Sequence, residues 1–152
     1  MKPWAQENRR EIYRELDHPA DVFLEVRARD LDELFERALY ALYDHLVEAS
    51  ALRLERELEL EGVESDLSLA LRRLLSEALF RFDTEAFVAT EADVEVDAGQ
   101  PGDRVRARAR LRGHAFTPGR DGRVLEVKAV TYHQLQVDQA QDGWVARFIL
   151  DV

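Results

Sequence analysis

ADVEVDAGQPGDRVRARARLR, residues Ala92 to Arg112, is two alternating runs joined by a turn. Val94, Val96 and Ala98 alternate with Asp93, Glu95 and Asp97. On the return, Val105, Ala107, Ala109 and Leu111 alternate with Arg104, Arg106, Arg108, Arg110 and Arg112. Successive side chains of a strand point to opposite faces, so a period of two marks strands buried on one side. Gly99-Gln100-Pro101-Gly102 has the composition of a reversal. The stretch is therefore an antiparallel hairpin, with an acidic row on one strand and a basic row on the next. Taken alone, the arginine row reads as an RNA-binding stripe. The matching acidic row predicts instead a solvated sheet face whose guanidinium groups pair across strands with Asp93, Glu95 and Asp97.

The rest of the chain arranges itself around this hairpin. Downstream, strands are expected over Arg123 to Val137, bent near Tyr132, and over Trp144 to Leu150, with Asp142-Gly143 as the turn before the last. Upstream, Glu11 to Leu16 and Val22 to Ala28 read as strands, as does Ala51 to Leu60, which Gly62 ends. Two segments carry the helical period instead. Asp30 opens the first, with Leu31, Leu34, Phe35, Ala38, Leu39, Leu42 and Leu46 on one stripe, and it is expected to reach Ala49. Ser65 or Asp66 caps the second, whose apolar face is Leu67, Leu71, Leu74, Leu75, Ala78, Leu79 and Phe82. Hairpins of neighbouring strands and two one-sided helices predict an α+β fold: a mixed, largely antiparallel sheet with two amphipathic helices packed on one face. Residues 1–10 read as an N-terminal extension and residues 11–152 as a single domain.

With 152 residues, 46% of them hydrophobic, the chain has the material for one ordinary core. Its net charge of -10 argues against general nucleic-acid binding, which relies on dense Lys and Arg to displace counterions from phosphates. There is no cysteine, which excludes disulfides, thiolate nucleophiles and Cys-based zinc sites. The first residues lack an apolar run of signal-peptide length, and nothing approaches the roughly 18 apolar residues of a membrane span. A soluble, cytoplasmic protein is the expectation.

Three acidic spots are candidates for chemistry: Asp17-His18-Pro19-Ala20-Asp21, Phe82-Asp83-Thr84-Glu85, and Asp151 beside Val152. Each lies where a regular element begins or ends, so a fold could gather them. Carboxylates a few ångströms apart raise one another's pKa unless a cation compensates, and hard divalent ions take oxygen ligands of this kind. Asp21 and Asp151 are the leading ligands, and a terminal carboxylate on Val152 could add another. Asp17 and Asp83 are secondary, since Asp equally serves turns and caps. Asp32, Asp44, Asp121 and Asp142 read as turn or cap residues. His18 and His133 could act as a base or a supporting donor, or be structural. His45 sits at a helix boundary and His114 at a strand end. The regular spacing of a calcium loop is missing, as are a Gly-x-Ser-x-Gly elbow and a phosphate-cradling glycine loop. A rival reading makes Asp21, Asp83 and Asp151 the ligands of a metal-dependent phosphoester hydrolase with His18 or His133 as base. A third is a metal-free, chaperone-like interaction domain.

Four blocks together carry a resemblance. Asp17-His18-Pro19-Ala20-Asp21-Val22, Leu79-Phe80-Arg81-Phe82-Asp83-Thr84-Glu85, Val127-Lys128-Ala129-Val130-Thr131-Tyr132-His133-Gln134-Leu135 and Phe148-Ile149-Leu150-Asp151-Val152 resemble the archease family in order and spacing. Pro19 departs from that pattern, where the family usually has Thr. The resemblance implies an accessory protein of RtcB-type RNA ligases, which join RNA ends in tRNA splicing and repair with GTP and a divalent metal. It implies promotion of the ligase's guanylylation and multiple turnover, and not catalysis by the chain itself. It places a divalent ion, calcium first with magnesium or manganese as alternatives, on Asp21, Asp151 and Val152. Asp17, His18, Asp83, Glu85, Lys128 and His133 match its motifs as further site or partner-contact residues. The partner is then a protein, without general nucleic-acid binding and without a membrane.

Overall fold

Asp30 and Asp66 start the two long helices, each accepting a hydrogen bond from a backbone N–H in the first turn, Glu33 N at 2.9 Å and Leu69 N at 2.8 Å. The computed structural model describes residues 1–4, 7–18, 21–48 and 53–152. In chain order the elements are α1 (Arg9–Ile12), β1 (Tyr13–Leu16), β2 (Val22–Ala28), α2 (Leu31–Leu46), β3 (Val47–Glu48), β4 (Arg56–Glu64), α3 (Leu67–Glu85), β5 (Phe87–Asp97), β6 (Val105–Ala115), β7 (Gly122–Arg123), β8 (Ala129–Val130), β9 (Gln136–Ala140) and β10 (Gly143–Asp151). Among the described residues no helix is long and apolar enough to cross a membrane. The Pro19 turn, the expected helix end at Ala49 and the expected strand start at Ala51 lie outside the described residues.

The α+β class holds, and every pairing between named strands is antiparallel. The strands divide, however, between two main sheets. β10 lies inside a five-stranded sheet in the order β1-β2-β10-β8, with β9 also pairing β10. β6 is the centre of a three-stranded sheet in the order β4-β6-β5, and β3 with β7 makes a small third ladder. α2 packs on β2 and β5, and α3 on β4, β6 and β8, so both helices touch both main sheets and fuse them into one core. Leu34, Phe35, Leu39, Leu42 and Leu46 of α2 and Leu71, Leu74 and Leu75 of α3 are fully buried there. The spacing of three and four placed them correctly.

Several boundaries differ from the sequence reading. A single helical turn, α1, precedes β1, and Trp4 in the N-terminal extension is buried against Tyr40 and Tyr43, with ring centroids 5.6 and 5.9 Å away. β4 does not stop at Gly62 but continues to Glu64, because Gly62, Val63 and Glu64 go on pairing with Ala107, Arg106 and Val105 of β6; the glycine sits under the Arg73 side chain, where a Cβ has no room. β5 begins at Phe87, five residues before the strict alternation, in a stretch buried on both faces. Between Arg123 and Val137 only Ala129–Val130 and the start of β9 are paired, with β7 ending at Arg123.

The charged face of the three-stranded sheet also corrects an expectation. Asp93, Glu95 and Asp97 do face Arg110, Arg108 and Arg106 in register. The ion pairs form on the other flank, from Arg110 to Glu57 at 3.4 Å and from Arg108 and Arg106 to Glu61 at 3.3 and 3.6 Å. Arg112 pairs with Glu91 at 3.2 Å. β6 is sandwiched between two acidic strands, and the hairpin sequence alone disclosed one of them.

Candidate functional site

Antiparallel pairing of β2 with β10 brings an early turn against the end of the last strand. Val22 faces Leu150 and Phe23 faces Ile149, so the same register continued by one residue sets Asp21 opposite Asp151. Directly opposed residues hold their Cβ atoms about 4.5 to 5.5 Å apart on the same face. That face is the outer one. Leu24, Val26, Ala146, Phe148 and Leu150 fill the core side, which leaves Phe23, Glu25 and Arg27 on the outside of β2 and Val145, Arg147, Ile149 and Asp151 on the outside of β10. Asp21, Asp151 and Val152 are half-buried. On the other side of Asp151 lies β8, where Ala129 is its ladder partner and Lys128 N donates to its carbonyl at 2.7 Å. Lys128 itself is exposed.

His18 completes this end. Its Nδ1 stands 3.9 Å from Asp21 Oδ2, too far for a hydrogen bond. That nitrogen is buried with no partner. The imidazole meets the Phe23 ring edge-on at 6.1 Å, and Phe23 and Ile149 are buried although they sit on the outer face, apart from the main core. An unsatisfied nitrogen therefore stands near Asp21, the residue that the β2–β10 register sets opposite Asp151. Carboxylate oxygens and an imidazole nitrogen are donor types that divalent cations accept. Among the described residues no group of three or more His, Asp or Glu side chains is gathered tightly enough to hold an ion alone. A bound ion would need main-chain oxygens, water or a partner's groups to fill its shell.

The remaining candidates lie around this centre. Asp17 is exposed. His133 is exposed in the loop after β8, its N–H donating to Thr131 Oγ1 at 3.2 Å. Asp83 is exposed in the last turn of α3, two residues before the helix ends, and Glu85 pairs with Arg81, which lowers its pKa. Among the described residues no hydrogen bond or ion pair joins Asp83 or Glu85 to Asp21 or Asp151. Of the sequence candidates, the strand pairing sets Asp21 opposite Asp151, His18 lies 3.9 Å from Asp21, and the Lys128 backbone bonds Asp151.

Two polar clusters were missed. Glu25, on the outer face of β2, has a side chain only 1% exposed and receives Arg14 Nε at 2.8 Å, Arg27 Nε at 3.2 Å and Arg147 at 2.9 Å. Burial alone would raise its pKa, and the three guanidinium hydrogen bonds overcome that and bring it down to about 2. Alternation along β2 gives no sign of this burial, because it does not reveal the distant arginines. Asp121, read as a turn residue, is fully buried and accepts from Arg53 at 2.9 Å and from Thr117 N at 2.9 Å, with His114 Nε2 at 3.1 Å. No short-range signal marks it, because Arg53 is 68 residues away.

The model of the archease protein family matches residues 13–152. A protein named archease from Archaeoglobus fulgidus is 40% identical over 140 residues, covering 92% of this chain and 98% of that protein. Another, from Methanopyrus kandleri, is 32% identical over 92% of this chain and 99% of its own length. Protein 1598 of Methanobacterium thermoautotrophicum, solved in solution, superposes with a TM-score of 0.78 at 27% identity, covering 93% of this chain and 99% of that one. An archease from Thermotoga maritima, described as a possible chaperone, shares the fold with a TM-score of 0.58 at 17% identity, over 91% of this chain and 96% of that one.

Proposed function

This chain belongs to the archease family, and we propose from that premise that it is an accessory protein that activates an RtcB-type RNA ligase, with a divalent-cation site at Asp21 and Asp151. The observation that carries the site is the β2–β10 register, which sets those two carboxylates opposite each other on the outer face beside the unpartnered His18 nitrogen. Asp21, Asp151 and an oxygen of Val152 would hold the ion, calcium by the hardness of those donors and magnesium or manganese by the same ligand set. When bound, the ion would neutralise the paired carboxylates and leave positions open to a partner's oxygen ligand. Lys128, exposed and bonded through its backbone to Asp151, would be a cation available to the partner's anionic groups. His133, Asp17, Asp83 and Glu85 would be contact residues at the margin.

Activation by docking requires that the chain bind the reactive state of the ligase more tightly than its resting state, since equal affinity shifts nothing. A release step between encounters lets one copy serve many ligase molecules. The decisive assay follows ligase guanylylation with substoichiometric accessory protein, comparing wild type with Asp21→Ala and Asp151→Ala. Both variants should lose most of the stimulation and lose calcium or manganese binding by titration calorimetry. Full stimulation by both would refute the assignment of these residues. Hydrolysis of a phosphoester panel by the isolated chain with added manganese would favour the hydrolase instead.

A further inference from the structure

The outer face of the five-stranded sheet changes sign along its length. Asp21 and Asp151 stand at one end, Phe23 and Ile149 come next, and Arg14, Arg147 and Arg27 follow around Glu25. Arg147 is four residues before Asp151 on the same face of β10, about 13 Å away at the rise of an extended strand. Three guanidinium groups against Glu25, with Asp138 opposite Val145 at the margin, leave this patch net positive on a chain whose net charge is -10. Arg14, Arg27 and Arg147 remain 65%, 58% and 42% exposed, because the helices lie on the opposite face.

We propose that this sheet face is a single protein-docking surface whose arginine half receives carboxylate side chains of the partner. It rests on the ligase-activator reading for the identity of that partner.

Three features favour a protein carboxylate. Arg14 and Arg27 reach Glu25 through Nε, and among the described residues no hydrogen bond uses their Nη groups, so a two-pronged donor is available on each. Glu25 fixes all three side chains before any partner arrives, which reduces the ordering entropy that binding otherwise costs. Prefixed arginines beside buried aromatic and aliphatic side chains also have the composition of interface hot spots. A nucleic-acid strand is uniformly anionic and would have to cross Asp21, Asp151 and Glu25, whereas a folded partner can present opposite charges at the two ends.

The test measures association of the full chain with the RtcB-type ligase of the same source by biolayer interferometry across a salt series. Arg14→Gln with Arg27→Gln keeps a donor for Glu25 and removes two charges. It should weaken association about tenfold, mostly through a slower on-rate, and flatten the salt dependence. Arg14→Lys with Arg27→Lys keeps the charge and should recover most of the on-rate while losing the forked contact. Thermal melting of each variant separates lost docking from lost folding, and the Lys pair serves if the Gln pair melts early. Unchanged affinity and salt slope in the Gln pair, with the wild type still stimulating the ligase, would overturn the docking face alone. Failure of the wild type to bind or stimulate the ligase would overturn both readings. A labelled 20-mer single-stranded RNA is the second probe. RNA binding that the Gln pair abolishes, with ligase affinity unchanged, would make the patch a phosphate site and overturn the proposal.

Discussion

Glu36 on α2 should make the protein less stable at alkaline than at mildly acidic pH, and replacing it by glutamine should remove the effect. The carboxyl is half-buried. Burial disfavours its charge first, and the neighbouring Glu7, Asp93 and Glu33 carboxylates add to that, so its pKa rises from 4.5 to about 7. A folded-state value above the unfolded one means that the native state holds the proton more tightly. Stability from this group is therefore fully present below about 4.5 and is lost as pH rises through about 7. The gap corresponds to about 3 kcal/mol at pH 8, at about 1.4 kcal/mol for each pH unit, and to less than about 1 kcal/mol at pH 5. Glu36→Gln keeps the shape and removes the charge. For a chain of this size about 3 kcal/mol moves Tm by about 9 °C. Wild type and variant should be melted by circular dichroism at pH 5 and pH 8. The variant should gain several degrees at pH 8 and almost nothing at pH 5. An equal gain at both pH values, or none at pH 8, would refute the argument, because neither can come from a carboxyl that titrates between them.

Asp121→Asn should destabilise the fold by about 3 to 5 kcal/mol in urea unfolding, since it leaves Arg53 facing a neutral side chain where a buried ion pair stood. Burial alone would raise the Asp121 pKa, and the Thr117 N–H together with His114 and Arg53 lower it below its usual 3.8. Its contribution is therefore present above that pH and fades as pH falls through the lowered value, so acid unfolding of wild type and variant should converge. Gly113→Ala should cost about 3 kcal/mol or more by the same urea measurement, because a Cβ there would lie 1.8 Å from the Val88 carbonyl oxygen across the β5–β6 ladder. A fully stable alanine variant would show that this crossing relaxes.

What was legible in the sequence was what is decided locally. The 92–112 hairpin, the turn before the last strand and the two apolar helix stripes all follow from spacing within a few residues; all are present, the turn one residue earlier at Gln141-Asp142 with Gly143 already in β10. The division into two sheets was not legible, because it depends on which distant strands pair: β10 joins β2 across more than a hundred residues, and β4 joins β6 across the whole of α3. The arginine row shows the consequence. Its opposing charges were correctly expected, yet the guanidinium groups chose Glu57 and Glu61, which only the β4 pairing supplies. Glu25 and Asp121 escaped for a related reason. Periodicity treats a charged residue as solvated, and only tertiary neighbours can supply the arginines that allow its burial.

The same pairing explains how the proposed binding face could sit on such a constrained strand. β10 is held on both sides, by β2 and by β8 with β9, and its inward residues Ala146, Phe148 and Leu150 are fully buried. Its outward residues Arg147 and Asp151 carry none of that packing. The alternation lets one strand be rigid through its core side and chemically variable on the other. A ladder also fixes relative positions far better than a loop does, so Asp151 is set against Asp21 by the backbone and not by side-chain choice. Substitutions at Asp151 should therefore change what the face binds before they change whether the protein folds, whereas those at Arg147 also touch the buried Glu25 it pairs with.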